Sequence, residues 1–115
     1  MKYRDITVNE LELLERLLFF RLSEQMMSKH RGKKYLVKEI DKNGSLKFIH
    51  EGNLSQLAQR KFPVEAQSLD KDNIYIHALL FLVNDEIDEL EFYKDDSSSI
   101  LQMPKPQDWE IIEFS

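Results

Sequence analysis

The sequence has 115 residues, of which 42% are hydrophobic and 32% charged, with only three glycines and three prolines. These values are typical of one globular domain and argue against a disordered or collagen-like chain. Because the chain has no cysteine, it has no disulfide, no cysteine nucleophile and no thiolate metal ligand. The charged N-terminus and the short apolar runs predict neither a signal peptide nor a membrane span. We therefore expect a single cytoplasmic domain over residues 1–115.

Charge is unevenly distributed along the chain. The formal net charge is −5, yet residues 1–64 carry an excess of five basic side chains, whereas residues 65–96 carry an excess of eight acidic ones. An acidic chain binds phosphate backbones poorly, because that affinity comes from basic side chains. We expect a cationic partner, and neither nucleic acid nor a membrane.

The first predicted element is an amphipathic helix that starts after Thr7 and extends to about Met27. Thr7 and Glu10 have the spacing of a capping box. At 100° per residue, one face is apolar and carries Leu11, Leu14, Leu18 and Leu22. Arg21 falls within the apolar arc, where it could pair with a carboxylate, extend to solvent or end the buried stretch. Phe19 lies among polar residues and is either covered by another segment or a partner contact.

The rest of the chain is predicted to form strands, apart from a basic loop at residues 29–34 and a short helix at residues 54–60. Asn43-Gly44 supplies the positive φ angles of a tight hairpin between residues 35–40 and 45–50. The further predicted strands are residues 64–69, 74–83, 87–94 and 109–114. Residues 74–83 are apolar on both faces, which indicates a central strand. This order predicts an α+β fold, with the N-terminal amphipathic helix packed on a mostly antiparallel sheet of five or six strands.

Most of the chain, from the amphipathic N-terminal helix to Pro104, loosely resembles a family of small bacterial domains of unknown function. Their pattern combines a Gly-Ser-Leu hairpin strand, here Gly44-Ser45-Leu46, with a later strand that ends in Glu-Leu-x-x-aromatic-Lys-x-Asp. The residues that match this later pattern are Glu89, Leu90, Phe92, Tyr93, Lys94, Asp96, Ile100 and Pro104. Glu91 departs from the pattern, since aspartate is expected there, and residues 84–86 lack the expected turn glycine. This family implies no chemistry.

In type rather than in motif, the chain also resembles bacterial immunity proteins of contact-dependent growth inhibition systems. Those proteins are small, acidic, cysteine-free α+β domains. The resemblance implies a binding protein that neutralises a cognate toxin.

Catalytic and metal-binding patterns are weak. His30, His50 and His77 lack metal-type spacing, and the serines at 97–99 lack a nucleophile-elbow motif. The acidic turns at 70–73 and 85–88 lack the glycine and distal glutamate of calcium loops. We expect no cofactor and no metal, and we interpret His77 as a structural histidine.

The most informative segment is an acidic run near the end of the long hairpin. Like charges on neighbouring positions oppose folding unless basic groups of the same domain or of a partner compensate them. We predict a partner-binding surface formed by Asp85, Glu86, Asp88, Glu89, Glu91, Tyr93, Asp95 and Asp96, with Phe19 as a further contact. The partner would be a protein toxin such as a basic nuclease, and the domain itself would not be an enzyme.

The rival hypothesis is a small enzyme or ligand-binding domain with a pocket near His77. A deep cleft lined by His77 and carboxylates would favour it. The sequence does not show such a cluster, and it leaves the oligomeric state open.

Overall fold

The computed structural model of the chain describes residues 3–21, 34–49, 60–83 and 86–112, with the side chains of residues 20–21 and 60–63 outside that description. One α-helix, α1 (Val8–Arg21), and seven strands form in these residues. The strands are β1 (Arg4–Asp5), β2 (Leu36–Glu39), β3 (Leu46–Phe48), β4 (Arg60–Leu69), β5 (Tyr75–Val83), β6 (Glu86–Lys94) and β7 (Glu110–Ile112). A short 3₁₀ helix, Pro106–Asp108, precedes β7.

All strand pairs are antiparallel, in one sheet of order β1-β2-β3-β6-β5-β4-β7. The α+β class is confirmed, and β5 is central, as its two apolar faces predict. The predicted count of five or six strands is too low, because the two-residue strand β1 joins the edge of β2. Two residues are too few to show an alternating pattern, so no sequence pattern predicts β1.

The β2–β3 hairpin is confirmed, although its turn differs from the predicted one. Among the residues of this turn only Gly44 has a positive φ, of 84°, whereas a two-residue Asn-Gly turn would require one at Asn43 too. The Gly44 N–H donates to the Asp41 carbonyl, and the Ile40 N–H donates to the Ser45 carbonyl. The connection is therefore a wider turn with one left-handed residue, which glycine adopts without strain.

Strand β4 starts at Arg60, earlier than the predicted residue 64, and it includes Pro63. Its pairing with β5 shifts between Lys61 and Val64, and such an irregularity accommodates a residue that lacks an N–H donor. The short helix predicted for residues 54–60 lies outside the described residues except for Arg60, which is in the strand. The basic loop at 29–34 likewise lies outside them except for Lys34, which is exposed.

Helix α1 begins with the predicted capping box. The Glu10 N–H donates to Thr7 Oγ1 at 3.2 Å, and the Thr7 N–H donates to Glu10 Oε1 at 2.9 Å. The described part of the helix ends at Arg21, so the predicted continuation to Met27 and the partner of the Arg21 side chain lie outside the description. No helix among the described residues is long and apolar enough to cross a membrane.

The core lies between α1 and one face of the sheet. Buried leucines of the helix pack in one cluster with alternate residues of β5, and this cluster includes Leu13, Leu14, Leu17, Leu18, Ile76, Ala78, Leu80 and Leu82. The intervening residues of β5, such as His77 and Leu79, point to the opposite side because strand side chains alternate. We call this opposite side the outer face of the sheet.

Candidate functional site

The outward residues of β6 lie on the outer face, at the centre of the sheet. Glu89, Glu91 and Tyr93 are directly opposite Phe81, Leu79 and His77 of β5. All three β6 side chains are half-buried. Three of the predicted partner-binding residues are therefore brought together in a row on one surface.

The neighbouring strand and turn enlarge this acidic row. Glu65 of β4 is directly opposite Leu79, so it lies on the outer face as well. Asp95 follows the end of β6 and is largely exposed. We call Glu65, Glu89, Glu91, Tyr93 and Asp95 the acidic face.

His77 lies between two carboxylates of this surface. Its Nδ1 is 3.2 Å from Glu65 Oε2, and its Nε2 is 2.5 Å from Asp95 Oδ1. Because each ring nitrogen faces a carboxylate, the doubly protonated imidazolium would donate to both. The sequence predicted a structural histidine here and showed no carboxylates near it, since Glu65, His77 and Asp95 meet only through the pairing of β4, β5 and β6.

Tyr93 stacks on the His77 ring. The ring centroids are 4.8 Å apart and the planes differ by 17°. Burial raises the pKa of the Tyr93 hydroxyl, and the negative charges of Glu65, Asp95 and Glu91 raise it further. The Tyr93 hydroxyl therefore stays protonated among these carboxylates and can donate a hydrogen bond.

Asp88 is buried and is not part of the row formed by Glu89, Glu91 and Tyr93. It lies in a bulge, where Ile87, Asp88 and Glu89 oppose only Leu82 and Phe81. Its side chain is 5% exposed, and its Oδ1 is 2.8 Å from Lys47 Nζ. The bulge buries Asp88 in an ion pair within the domain, and its role as a direct partner contact stays a prediction.

The remaining predicted contacts are dispersed. Glu86 is half-buried at the other end of β6, and Asp85 lies outside the described residues. Asp96 is exposed and organises its own turn, with its Oδ1 accepting the N–H of Ser98 at 3.0 Å and the hydroxyl of Ser98 at 2.6 Å. These hydrogen bonds from Ser98 lower the pKa of Asp96.

Phe19 lies on the helix and not beside the acidic face. Helix α1 covers the other face of the sheet, and 71% of Phe19 is exposed. The expectation that another segment covers Phe19 is wrong. One partner surface applied to the outer face would not reach this residue, so the structure does not join Phe19 to the acidic row.

A buried ionic network was not anticipated from the sequence. Lys94 is 1% exposed, and its Nζ lies 3.0 Å from Asp70 and 2.6 Å from Asp72. Asp70 also accepts the N–H groups of Leu101 at 2.7 Å and Gln102 at 3.1 Å. The network joins the end of β6, the β4–β5 turn and the segment that follows residue 100. Its signal in the sequence was a lysine in phase with the core residue Phe92.

These donors control the ionisation of Asp70. Burial opposes the charged form, but the Leu101 N–H, the Lys94 ammonium and the N–H groups of Lys71 and Gln102 outweigh it. Together they hold the pKa of Asp70 well below its usual range. Asp72 and Asp70 likewise raise the pKa of Lys94 against the opposing effect of burial.

The family-like sequence motif is mostly accounted for by this scaffold. Ser45 is buried and bridges two strands, since its Oγ accepts the Phe92 N–H at 2.8 Å. The Ile100 N–H donates to Asn43 Oδ1 at 3.2 Å, and Phe92 packs against Trp109 in the core. Among the motif residues of β6, Glu89 and Tyr93 point to the outer face, which leaves them open to a functional role.

The structure contains an open groove near this surface, but His77 does not line it. That groove is lined by Gln67, which is directly opposite His77, by Tyr75, two residues before it, and by the segment from Gln102 to Glu110. No group of three or more metal-ligating side chains occurs in the described part of the chain.

Comparison with known proteins places the chain in a family. No curated protein and no solved structure matches it. A family model described as a domain of unknown function, DUF6984, matches residues 3–104. That span includes the helix, the hairpin, the acidic face and the Lys94 network, and it ends before β7. The match confirms the resemblance to a small family of unknown function, and the chain belongs to DUF6984.

Proposed function

We propose that this domain is a non-enzymatic binding protein that captures a partner with a basic surface, and that it acts as a bacterial immunity protein against a cognate toxin. The observation that supports the proposal is the acidic face. Carboxylates from β4, β6 and the following turn lie around one aromatic ring on the side of the sheet opposite the helix. Opposite charge on the partner would be complementary to this surface.

Tyr93 is the proposed anchor at the centre of the interface. Its ring is fixed by stacking on His77, which is itself held by Glu65 and Asp95. An aromatic side chain held before binding loses little conformational freedom on association. The surrounding carboxylates would attract the toxin, and a basic nuclease has a surface of the required sign.

The proposal rests on the sign and arrangement of charge and does not require that the carboxylates lack partners within the domain. Lys47 already compensates Asp88 in the neighbouring bulge. A cationic partner would add to such compensation at Glu89, Glu91 and Asp95. Electrostatic attraction of this kind acts mainly on the association rate, which falls as salt screens the charges.

The test is a kinetic measurement with the partner that co-purifies from the native host. Immobilised domain should bind it quickly at low salt, and Glu89→Lys combined with Glu91→Lys should lower the association rate by about tenfold or more. The matched control is Glu12→Lys with Glu15→Lys, which makes the same charge change at exposed positions of α1. Circular dichroism checks that both variants are folded. Equal association rates for the two double variants would contradict the proposal.

Tyr93→Ala should have a different kinetic effect. Loss of a packed anchor raises the dissociation rate and leaves long-range attraction intact. We expect dissociation to be about tenfold faster or more, with an association rate close to that of the parent. An unchanged dissociation rate would place the anchor elsewhere.

A second candidate is proton transfer at His77 in a small enzyme or ligand-binding domain. It is favoured by the position of the imidazole between Glu65 and Asp95, since a histidine oriented by carboxylates is a common acid–base group. The two candidates differ in the effect of His77→Gln. This variant would abolish turnover in an enzyme, whereas in a binding protein it would only loosen Tyr93 and raise the dissociation rate a few-fold.

A further inference from the structure

An open groove lies at the end of the sheet where β4 turns into β5. Its volume is about 530 Å³, and the segment from Gln102 to Glu110 forms its other side. Leu69, Tyr75 and Met103 line it and are all large apolar residues with exposed surface. Leu69 and Tyr75 are directly opposite each other in the sheet. The groove therefore offers a wall on which an apolar side chain could be buried.

Both sides of the groove are attached to the same buried carboxylate. Asp70 accepts the N–H of Lys71 at 2.8 Å on the β4–β5 turn, and the N–H groups of Leu101 and Gln102 on the facing segment. Ser68 Oγ donates to the Asp108 carbonyl at 3.1 Å farther along. The groove is thus held in shape before any ligand enters, which lowers the entropic cost of binding.

The exposed charged residues around the groove are balanced in sign, and the buried Asp70 is neutralised by Lys94. Lys71 and Lys105 supply two ammonium groups, and Asp108 and Glu110 supply two carboxylates; all four are exposed and line the groove. No ion pair joins any of the four to another residue in the described part of the chain. A complementary ligand would carry one positive and one negative group beside an apolar body.

We propose that this groove binds a short peptide in its zwitterionic form, with a large apolar side chain against Leu69, Tyr75 and Met103. The peptide's ammonium would face Asp108 and Glu110, and its carboxylate would face Lys71 and Lys105. The volume lies within the range of about 300 to 1,000 Å³ that is usual for small-ligand sites. This site does not depend on the proposed capture of a toxin, because none of its charged residues belongs to the acidic face.

The primary test uses the dipeptide leucyl-phenylalanine and protein labelled at its methionine methyl groups. Titration should move the Met103 methyl resonance in a saturable way. N-acetylation or C-terminal amidation of the dipeptide should each weaken binding by about fivefold, because each removes one exposed charge contact. No saturable shift, or equal affinity for the doubly blocked dipeptide, would overturn the proposal.

Charge-removing variants of the protein test which groove residues face each end of the dipeptide. Asp108→Asn with Glu110→Gln should weaken binding of the free dipeptide but leave the affinity of the N-acetylated form unchanged. Lys71→Gln with Lys105→Gln should weaken binding of the free dipeptide but leave the affinity of the amidated form unchanged. If either double variant weakened the free and blocked dipeptides equally, the proposed orientation would be wrong.

The apolar wall has its own matched control. Leu69→Ser should weaken binding by about tenfold through loss of buried apolar area, whereas Leu101→Ser should change it less than twofold. Leu101 is as exposed as Leu69, at 54% against 50%, but does not line the groove. Equal loss in both variants would indicate a general surface effect and would overturn the assignment.

Discussion

Two clusters of the same chemical kind lie on opposite faces at one end of the sheet. In each, a nitrogen-bearing side chain sits between two carboxylates: Lys94 between Asp70 and Asp72, and His77 between Glu65 and Asp95. They are joined through consecutive residues, since Tyr93 stacks on His77 and Lys94 follows it in β6. Alternation along a strand sends one cluster inward and the other outward.

Burial distinguishes the Lys94 cluster, which is structural, from the His77 cluster, which belongs to the candidate site. The Lys94 side chain is fully buried, and the desolvation of its charge must be offset by full pairing. The His77 side chain is 13% exposed and Asp95 is 57% exposed, so water weakens the interaction and the carboxylates can also meet a partner. The Lys94 cluster holds the segment that follows residue 100 in place. The His77 cluster exposes carboxylate charge to solvent.

The largest expected effect is that of Lys94→Met. It leaves the buried Asp70 without its cation and removes the partner of the more exposed Asp72, and we expect the thermal midpoint to fall by about 10 to 20 °C. Lys94→Met combined with Asp70→Asn should recover part of this loss, because the one carboxylate left without Lys94, Asp72, is partly exposed to water. Thermal unfolding followed by circular dichroism measures both. A single variant as stable as the parent would show that the pair is not the anchor of this end of the sheet.

A second prediction concerns acid stability. The pKa of Asp70 is lower in the folded state than in the unfolded chain, so its contribution is complete above the unfolded value of about 3.9. The contribution is lost as the pH falls from there toward the folded value. Asp70→Asn should therefore flatten the acid limb of the curve of unfolding free energy against pH. Urea unfolding between pH 2 and pH 7 tests this, with Asp95→Asn as the exposed control.

The smallest stability effect should come from His77→Gln. Its partner Asp95 is mostly exposed, and glutamine can still donate a hydrogen bond to Glu65, so the unfolding free energy should change by less than about 1 kcal/mol. Chemical denaturation gives the value. A loss as large as that of the Lys94 variant would remove the distinction between the two clusters.

Local patterns predicted the parts of the fold that depend on near neighbours. The Thr7–Glu10 capping box, the β2–β3 hairpin and the central position of β5 are all present. Each depends on residues a few positions apart or on one strand's own alternation. The missed strand β1 is too short for such a pattern, and β4 begins at Arg60 and not at the predicted residue 64.

The candidate site was predicted only in its linear part. Glu89, Glu91 and Tyr93 alternate on β6 and share a face, as their spacing requires. Glu65 lies on the same face and contacts His77, although it is 12 positions before His77 in the chain. No short-range sequence pattern marks that contact. Asp88 belongs to the same acidic run but is buried at a bulge in an ion pair with Lys47, and a bulge is set by pairing with the neighbouring strand.

The sequence by itself determined the α+β class, the start of the helix, the main hairpin and the acidity of residues 65–96, because these follow from composition and from the repeat distances of helix and strand. Only the tertiary structure decided which charges are buried. Tyr93 and Lys94 are adjacent in sequence, yet Tyr93 lies on the acidic face whereas Lys94 is buried and paired with two aspartates. That outcome depends on which face of β6 the helix and the C-terminal segment cover, and such coverage is set by contacts between residues far apart in the chain.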